Sequence, residues 1–243
     1  MELSNEAKPS FGTGFSAVLR IFTSPSSVYP QIRAGLSIWP ALIVIMIFSA
    51  LLSVLNTPYE EEAGMMMMTT MVERGVLPEA ALEEQAERGS TPAWQGVLKG
   101  GLGAPAGIIL VAFFYWLIML IFFGGVSFIQ TFCLTIYVSF IGILYRLVNY
   151  LYLEFADVEI TSIRDLVLDL SPAVLFGDSN SFFVLLISSL SIFAIWGLVL
   201  TINGFSILVQ RPWQKVLIPT LIIAMLGYLI QTTFLWFAVG QIA

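Results

Sequence analysis

Histidine is absent from this chain of 243 residues, and cysteine occurs once. Without imidazole there is no Ser-His-Asp chemistry, no His-based metal site and no imidazole pH switch. A single thiol closes no intrachain disulfide, so the fold is held without one. Charge is scarce as well. The 10 basic and 16 acidic residues make up 11% of the chain, where a soluble domain carries roughly 25%. The hydrophobic fraction is 58% and the mean hydropathy +0.91. So few charges cannot cover a soluble fold of this size, and the chain reads as an integral membrane protein. Its apolar segments run to 20 residues or more, which indicates helices rather than the alternating strands of a barrel. Also missing are a Walker motif, a Gly-rich dinucleotide loop, an HExxH pair, a GxSxG elbow and paired intramembrane carboxylates. No enzymatic activity, cofactor, metal or nucleic-acid partner is expected.

Five segments are long enough to cross a hydrocarbon core of about 30 Å, which takes about 20 helical residues: 36–55, 104–123, 128–153, 182–209 and 216–240. The third and fourth exceed that length and should tilt or project. None of the five contains an acid, and Arg146 is their only charge. It lies near the end of the third, where a long side chain can snorkel. The first 35 residues lack a signal-peptide pattern, so the first span should be a retained anchor.

The loops sort by charge. Residues 1–35 carry a net +1 and the turn 210–215 a net +2, while 56–103 and 154–181 carry −5 each. Two bases in a short turn, against a C-terminus with none, place the N-terminus in the cytoplasm and the C-terminus outside. In the arm, Phe11, Phe15, Val18, Leu19 and Phe22 recur at helical spacing, a stripe suited to the membrane interface or to a cytoplasmic partner. The insertion 56–103 should hold two helices. One spans about 59–74, ahead of Gly75; the other is framed by Pro78 and Gly89, with acids in its first turn. Packed as a hairpin, they would form an extracytoplasmic cap. Within 154–181, Ile163, Leu166, Val167 and Leu170 predict a short amphipathic helix that Ser171-Pro172 ends. The expected fold is thus an all-α membrane protein. It is a five-transmembrane-helix bundle, N-in and C-out, with an N-terminal interfacial helix and a small helical cap.

Two polar stripes stand out. Thr131, Thr135, Ser139, Gly142, Arg146 and Asn149 follow at steps of 4, 4, 3, 4 and 3 along the third span, and Gly197, Thr201 and Gly204 at 4 and 3 along the fourth. Small residues let membrane helices approach closely, and hydroxyls can bond across the contact. Helix packing is one reading and a polar permeation path the other, the latter weakened by the lack of an intramembrane acid. Asn203 and Gln231 are the other deep polar groups, expected to satisfy each other or backbone. Cys133 has no basic neighbour in sequence and should be inert. The run Met65-Met66-Met67-Met68 with Met71 offers soft ligands for Cu(I). Four consecutive side chains point in four directions around a helix, however, and packing is the simpler reading.

Three segments, in order, resemble the Yip family, the Ypt/Rab-interacting five-span membrane proteins, in its bacterial branch. The stretch from Ile21 to Tyr29, with Thr23-Ser24-Pro25-Ser26, resembles the family's approach to the first span. The stretch Gly124-Gly125-Val126-Ser127 to Thr131 resembles its turn between the second and third, and Ile192 to Leu200 its fourth-span core. The resemblance implies an N-in, C-out bundle. Eukaryotic members act in vesicle traffic between endoplasmic reticulum and Golgi and bind small GTPases. Their long N-terminal region and aspartate–leucine–tyrosine–glycine–proline signature are missing here, so GTPase binding is not implied. Bacterial relatives often accompany membrane transport systems. The expectation is a multi-pass protein of the inner (cytoplasmic) membrane, an accessory or scaffold subunit. Its partners would be the lipid bilayer and other membrane proteins, such as a transport complex, or further copies of itself. A small solute transporter or channel is the alternative.

Overall fold

The computed structural model describes residues 11–156, 163–176 and 181–240, and among them there is no strand. Nine helices follow in order among these residues: α1 (Phe11–Thr23), α2 (Tyr29–Arg33), α3 (Trp39–Glu73), α4 (Ala80–Arg88), α5 (Ala93–Phe123), α6 (Phe128–Phe155), α7 (Phe182–Ser188), α8 (Ile192–Leu208) and α9 (Trp213–Gly240). Helices α3, α5, α6 and α9 are each long and apolar enough to cross a membrane. The pair α7–α8 supplies a fifth crossing when taken together, with a bend of 62°. Helix α6 lies in the middle, packed against α3, α5 and α8, while α9 closes on α5, α7 and α8.

The first span does not stop at residue 55. Helix α3 continues through Pro58 to Glu73. Proline removes one N–H and leaves the Val54 carbonyl without its usual donor. Around it, Asn56 Nδ2 donates to the Leu52 carbonyl at 2.7 Å and Thr57 Oγ1 to that of Ser53 at 2.9 Å. Polar side chains thus fold back on the helix instead of ending it. On the return path α5 starts at Ala93, eleven residues before the predicted 104. The cap is therefore no separate hairpin of two helices. It is the continuation of α3 and α5, joined by α4. At 1.5 Å per residue, 35 and 31 residues reach about 52 and about 46 Å, so both outreach a core of about 30 Å.

Helix α4 keeps the predicted limits, with Gly89 at φ 67° just past its end. Glu60 pairs with Lys99, and Glu61 accepts from the Thr91 backbone N–H. That hydrogen bond holds the Glu61 carboxyl below its ordinary range. The tie is complete at neutral pH and weakens as falling pH protonates Glu61. Tyr59 Oη donates to Glu154 at 2.9 Å, anchoring the base of the cap to the end of α6.

The predicted fourth span is divided by a run of serines. Ser188 and Ser189 both donate to the Leu185 carbonyl, at 2.6 and 3.3 Å. Ser191 then caps α8, accepting from the Ala194 N–H at 3.2 Å. Serine hydroxyls compete with the helical backbone, which favours an end and a fresh start here. The expected amphipathic helix after residue 154 is reduced to two 3₁₀ turns, Ile163–Leu166 and Pro172–Phe176. Leu166 is buried, but Val167 and Leu170 are exposed. Residues 157–162 of that loop, like the first ten of the arm, lie outside the described residues.

The arm is built into the bundle. Its buried face is Gly14, Ala17, Val18 and Ile21, and Val28, Tyr29, Ile32 and Leu36 continue the same core. Tyr137 of α6 donates to the Gly14 carbonyl at 3.1 Å. Gly14 lies on Pro40 so closely that a Cβ there would meet the ring Cγ at 2.6 Å. The predicted stripe splits accordingly. Val18 faces inward and Phe22 sets its ring edge-on to Trp196, 6.1 Å away. Phe11, Phe15 and Leu19 remain exposed.

Candidate functional site

The two polar stripes meet at a cavity of about 360 Å³ between α5, α6, α8 and α9. Helix α6 supplies Thr135, Ser139 and Gly142, α8 supplies Gly197 and Thr201, and α9 supplies Gln231. Tyr115 and Tyr228 line it from α5 and α9, and Ser189 and Ser191 from the α7–α8 bend. Its lining runs along α6 from Leu134 to Tyr145, a helical rise of about 16 Å.

The hydroxyls do not bridge helices. Thr135 Oγ1 donates to the Thr131 carbonyl (2.9 Å), Ser139 Oγ to that of Thr135 (2.7 Å) and Thr201 Oγ1 to that of Gly197 (2.8 Å). Each proton is spent one turn back on its own helix, so these three groups can offer a ligand only lone pairs. Phenols, the hydroxyls of Ser189 and Ser191 and the Gln231 amide are the remaining polar lining. Among the described residues, no Asp, Glu, Lys or Arg lines the cavity. Its chemistry suits a neutral molecule with an apolar body and a few polar atoms.

Close packing falls elsewhere than the stripes suggested. A Cβ on Gly142 would meet nothing within 4 Å, and one on Gly197 only Val138 at 3.9 Å. Gly204 alone of the three glycines is tight, with Leu134 Cδ2 at 2.8 Å and Cγ at 3.2 Å from such a Cβ. The tightest of the described glycines is Gly100, where α5 crosses α3, a contact that the two stripes did not indicate. A Cβ on Gly100 would meet the Ser49 carbonyl carbon at 2.6 Å and Ser53 Cβ at 2.7 Å, and one on Gly96 the Val54 backbone at 3.3 Å. The signal was present: Gly96 and Gly100 are four apart, as are Ser49 and Ser53, the small-xxx-small pattern of membrane helix pairs. Placing residues 56–103 in a loop hid it.

The other stripe members serve the frame. Thr131 is fully buried and donates to the Ser127 carbonyl at 3.2 Å. Arg146 is half-buried and does not line the cavity. Asn149 clamps the acidic loop, its Nδ2 donating to the Leu166 carbonyl (3.1 Å) and its Oδ1 accepting from the Leu168 N–H (2.6 Å). Asn203 is exposed, and among the described residues it makes no hydrogen bond with Gln231. Cys133 is 1% exposed, with Sγ 3.6 Å from the Leu36 carbonyl. Met66, Met67 and Met68 are half-buried along the far part of α3.

Comparison with known families matches the Yip1 domain over residues 19–234. The chain belongs to the Yip family. The match takes in the arm from Leu19 onward, the crossings and the cap, which is most of the chain. It is a multi-pass membrane protein of that family. No curated protein and no solved structure matches the chain.

Proposed function

We propose that this Yip-family protein is a non-enzymatic accessory or scaffold subunit of the inner (cytoplasmic) membrane, and that its cap is the surface other membrane proteins or transport machinery meet. The observation that carries this reading is the reach of α3 and α5. Both continue beyond what a bilayer needs, and α4 joins them into a tied, acidic head. A segment serving only to connect two spans needs neither that length nor those ties. The proposed orientation is N-in and C-out, with the cap outside. In a Cys133→Ser background, a single cysteine at Gln85 is expected to react with an impermeant thiol reagent added to intact cells, and one at Gln214 is not; the reverse pattern overturns the orientation.

Replacing residues 63–90 with a short Gly-Ser linker tests the role. The cut leaves Tyr59–Glu154 and Glu60–Lys99 in place. The variant is expected to stay monodisperse in mild detergent and to lose the proteins that co-purify with the parent. Unchanged co-purification from a folded variant would remove the cap from the proposal.

The cavity favours a second reading, a carrier or channel for a neutral solute. Under it, Ser139→Ala abolishes flux in proteoliposomes while the melting temperature barely moves. The scaffold reading expects no flux from the parent.

A further inference from the structure

A second cavity, of about 310 Å³, lies at the opposite end of the bundle from the cap. Arg33 reaches it from the end of α2, Gln130 from the first turn of α6, Gly124 and Gly125 from the α5–α6 turn, and Gln210 from the end of α8. Three features set it apart. Its lining is polar and includes a guanidinium. The backbone is held in an unusual conformation: Gly124 and Gly125 have φ 65° and 67°, and Gln210, at φ 54°, is the one non-glycine residue with positive φ among the described residues. A side chain in that region costs free energy, and here the strained turn brings the Gln210 amide to Arg33. With its oxygen toward the guanidinium, that amide lies against Nη2 and also accepts from Nη1 at 2.7 Å and Nε at 3.2 Å, on one edge of the guanidinium. Gln130 Nε2 meanwhile donates to the Arg33 carbonyl at 3.0 Å and fixes the backbone beneath it. Neutral amides orient the guanidinium, and among the described residues no carboxylate pairs with it.

The third feature is the charge of this end. Apart from Glu2 and Glu6, every acid of the chain falls within 60–87 and 154–178, and those among the described residues lie on the far part of α3, on α4, at the end of α6 and in the loop after it, at the cap end. Arg20, Arg33, Arg211 and Lys215 are left at this end with no carboxylate among the described residues. Trp39 and Trp213, each the first residue of a long helix, are exposed here, as interfacial aromatics are. They set this end at headgroup depth.

We propose that this cavity binds a phosphate group, and that the phosphate is the headgroup of an anionic phospholipid. A planar guanidinium presents paired donors to two phosphate oxygens, and the concentration of base at this end draws an anion toward it. The end of α2, the α5–α6 turn, the first turn of α6 and the end of α8 form the site at one end of the bundle, so a lipid in the adjoining leaflet can reach it headgroup first.

The test uses the full chain in mild detergent. Phosphatidylglycerol, phosphatidylcholine and inorganic phosphate are each titrated, with bound lipid counted by native mass spectrometry. The expected result is preferential binding of phosphatidylglycerol, weakened tenfold or more in Arg33→Gln and little changed in Arg74→Gln at the far end. Arg33 is exposed, so this variant should fold; Gln210→Gly is a second probe that relieves the strain, removes the orienting amide and should weaken binding as well. Equal retention of phosphatidylglycerol by parent and Arg33→Gln would overturn the site. So would loss of binding only in an Arg211→Gln, Lys215→Gln double variant, which would mean diffuse attraction. Displacement of the lipid by low-millimolar inorganic phosphate would overturn the lipid as occupant and leave a soluble phosphate in its place.

Discussion

Gly100→Ala is expected to be among the most destabilising single substitutions in the bundle. The added methyl would sit within 2.6 Å of the Ser49 carbonyl carbon and 2.7 Å of Ser53 Cβ. One obstacle is backbone, and the other is the first atom of a buried side chain, so no rotamer change clears the space. Helices α3 and α5 would have to separate along the whole hairpin that supports the cap. Overpacking costs about 1–3 kcal/mol, and more where backbone must move; the upper end is expected here. Gly103, three residues on, makes the control. A Cβ there meets nothing within 4 Å, so Gly103→Ala should be neutral, or gain about 0.5–1 kcal/mol from helix propensity. Melting temperatures of the two alanine variants in one detergent check the pair. Equal losses would mean that the α3–α5 crossing is looser than described.

The second large effect is expected in the arm. Were α1 a surface anchor, trimming it would change membrane association and little else. Ile21, however, is 0% exposed and Leu19 is 71% exposed. Ile21→Ala should cost on the order of 2–5 kcal/mol, as for a large-to-small change in a packed core. Leu19→Ala should stay within about 0.5 kcal/mol. Deleting residues 11–27 should remove Ala17, Val18 and Ile21 from the core and the Gly14 carbonyl from the Tyr137 hydroxyl, giving aggregated product. A monodisperse deletion variant melting like the parent would return the arm to the surface.

Scarce charge and long apolar runs were enough to read the class of the fold, because the bilayer tolerates few alternatives. Local chemistry was enough for α4, where Pro78 and Gly89 bracket acidic residues that suit a helix start. It failed where tertiary contacts override local rules. Pro58 reads as a boundary, yet α3 runs through it, because the α3–α5 pairing holds both sides of the proline in one helix. The serines at 188, 189 and 191 were lost within a segment whose average hydropathy is high, although each offers the backbone a competing partner. At the site, the spacing of Thr135, Ser139 and Gly142 fixed their common face on α6, and Gly197 and Thr201 theirs on α8. What the sequence left open was whether the facing stripes touch. They touch at Gly204, against Leu134; around Gly142 and Gly197 they line a cavity together with Tyr115 and Tyr228, and the other close contact is at Gly96 and Gly100. The Arg33 cavity was illegible for a related reason. Its residues come from three separated segments, 33, 124–130 and 208–210, and only the fold shows that a strained glutamine meets an arginine.

The role of the cap is tested most directly by photo-crosslinking in intact membranes. A benzophenone side chain would replace Glu83 or Glu87, exposed on α4, or Ala224, which lines the central cavity. Protein adducts of defined mass at Glu83 and Glu87, with none at Ala224, are the predicted result. No protein adduct at either α4 position, together with a reproducible small-molecule adduct at Ala224, would contradict the scaffold reading and leave the cavity as the working part of the molecule.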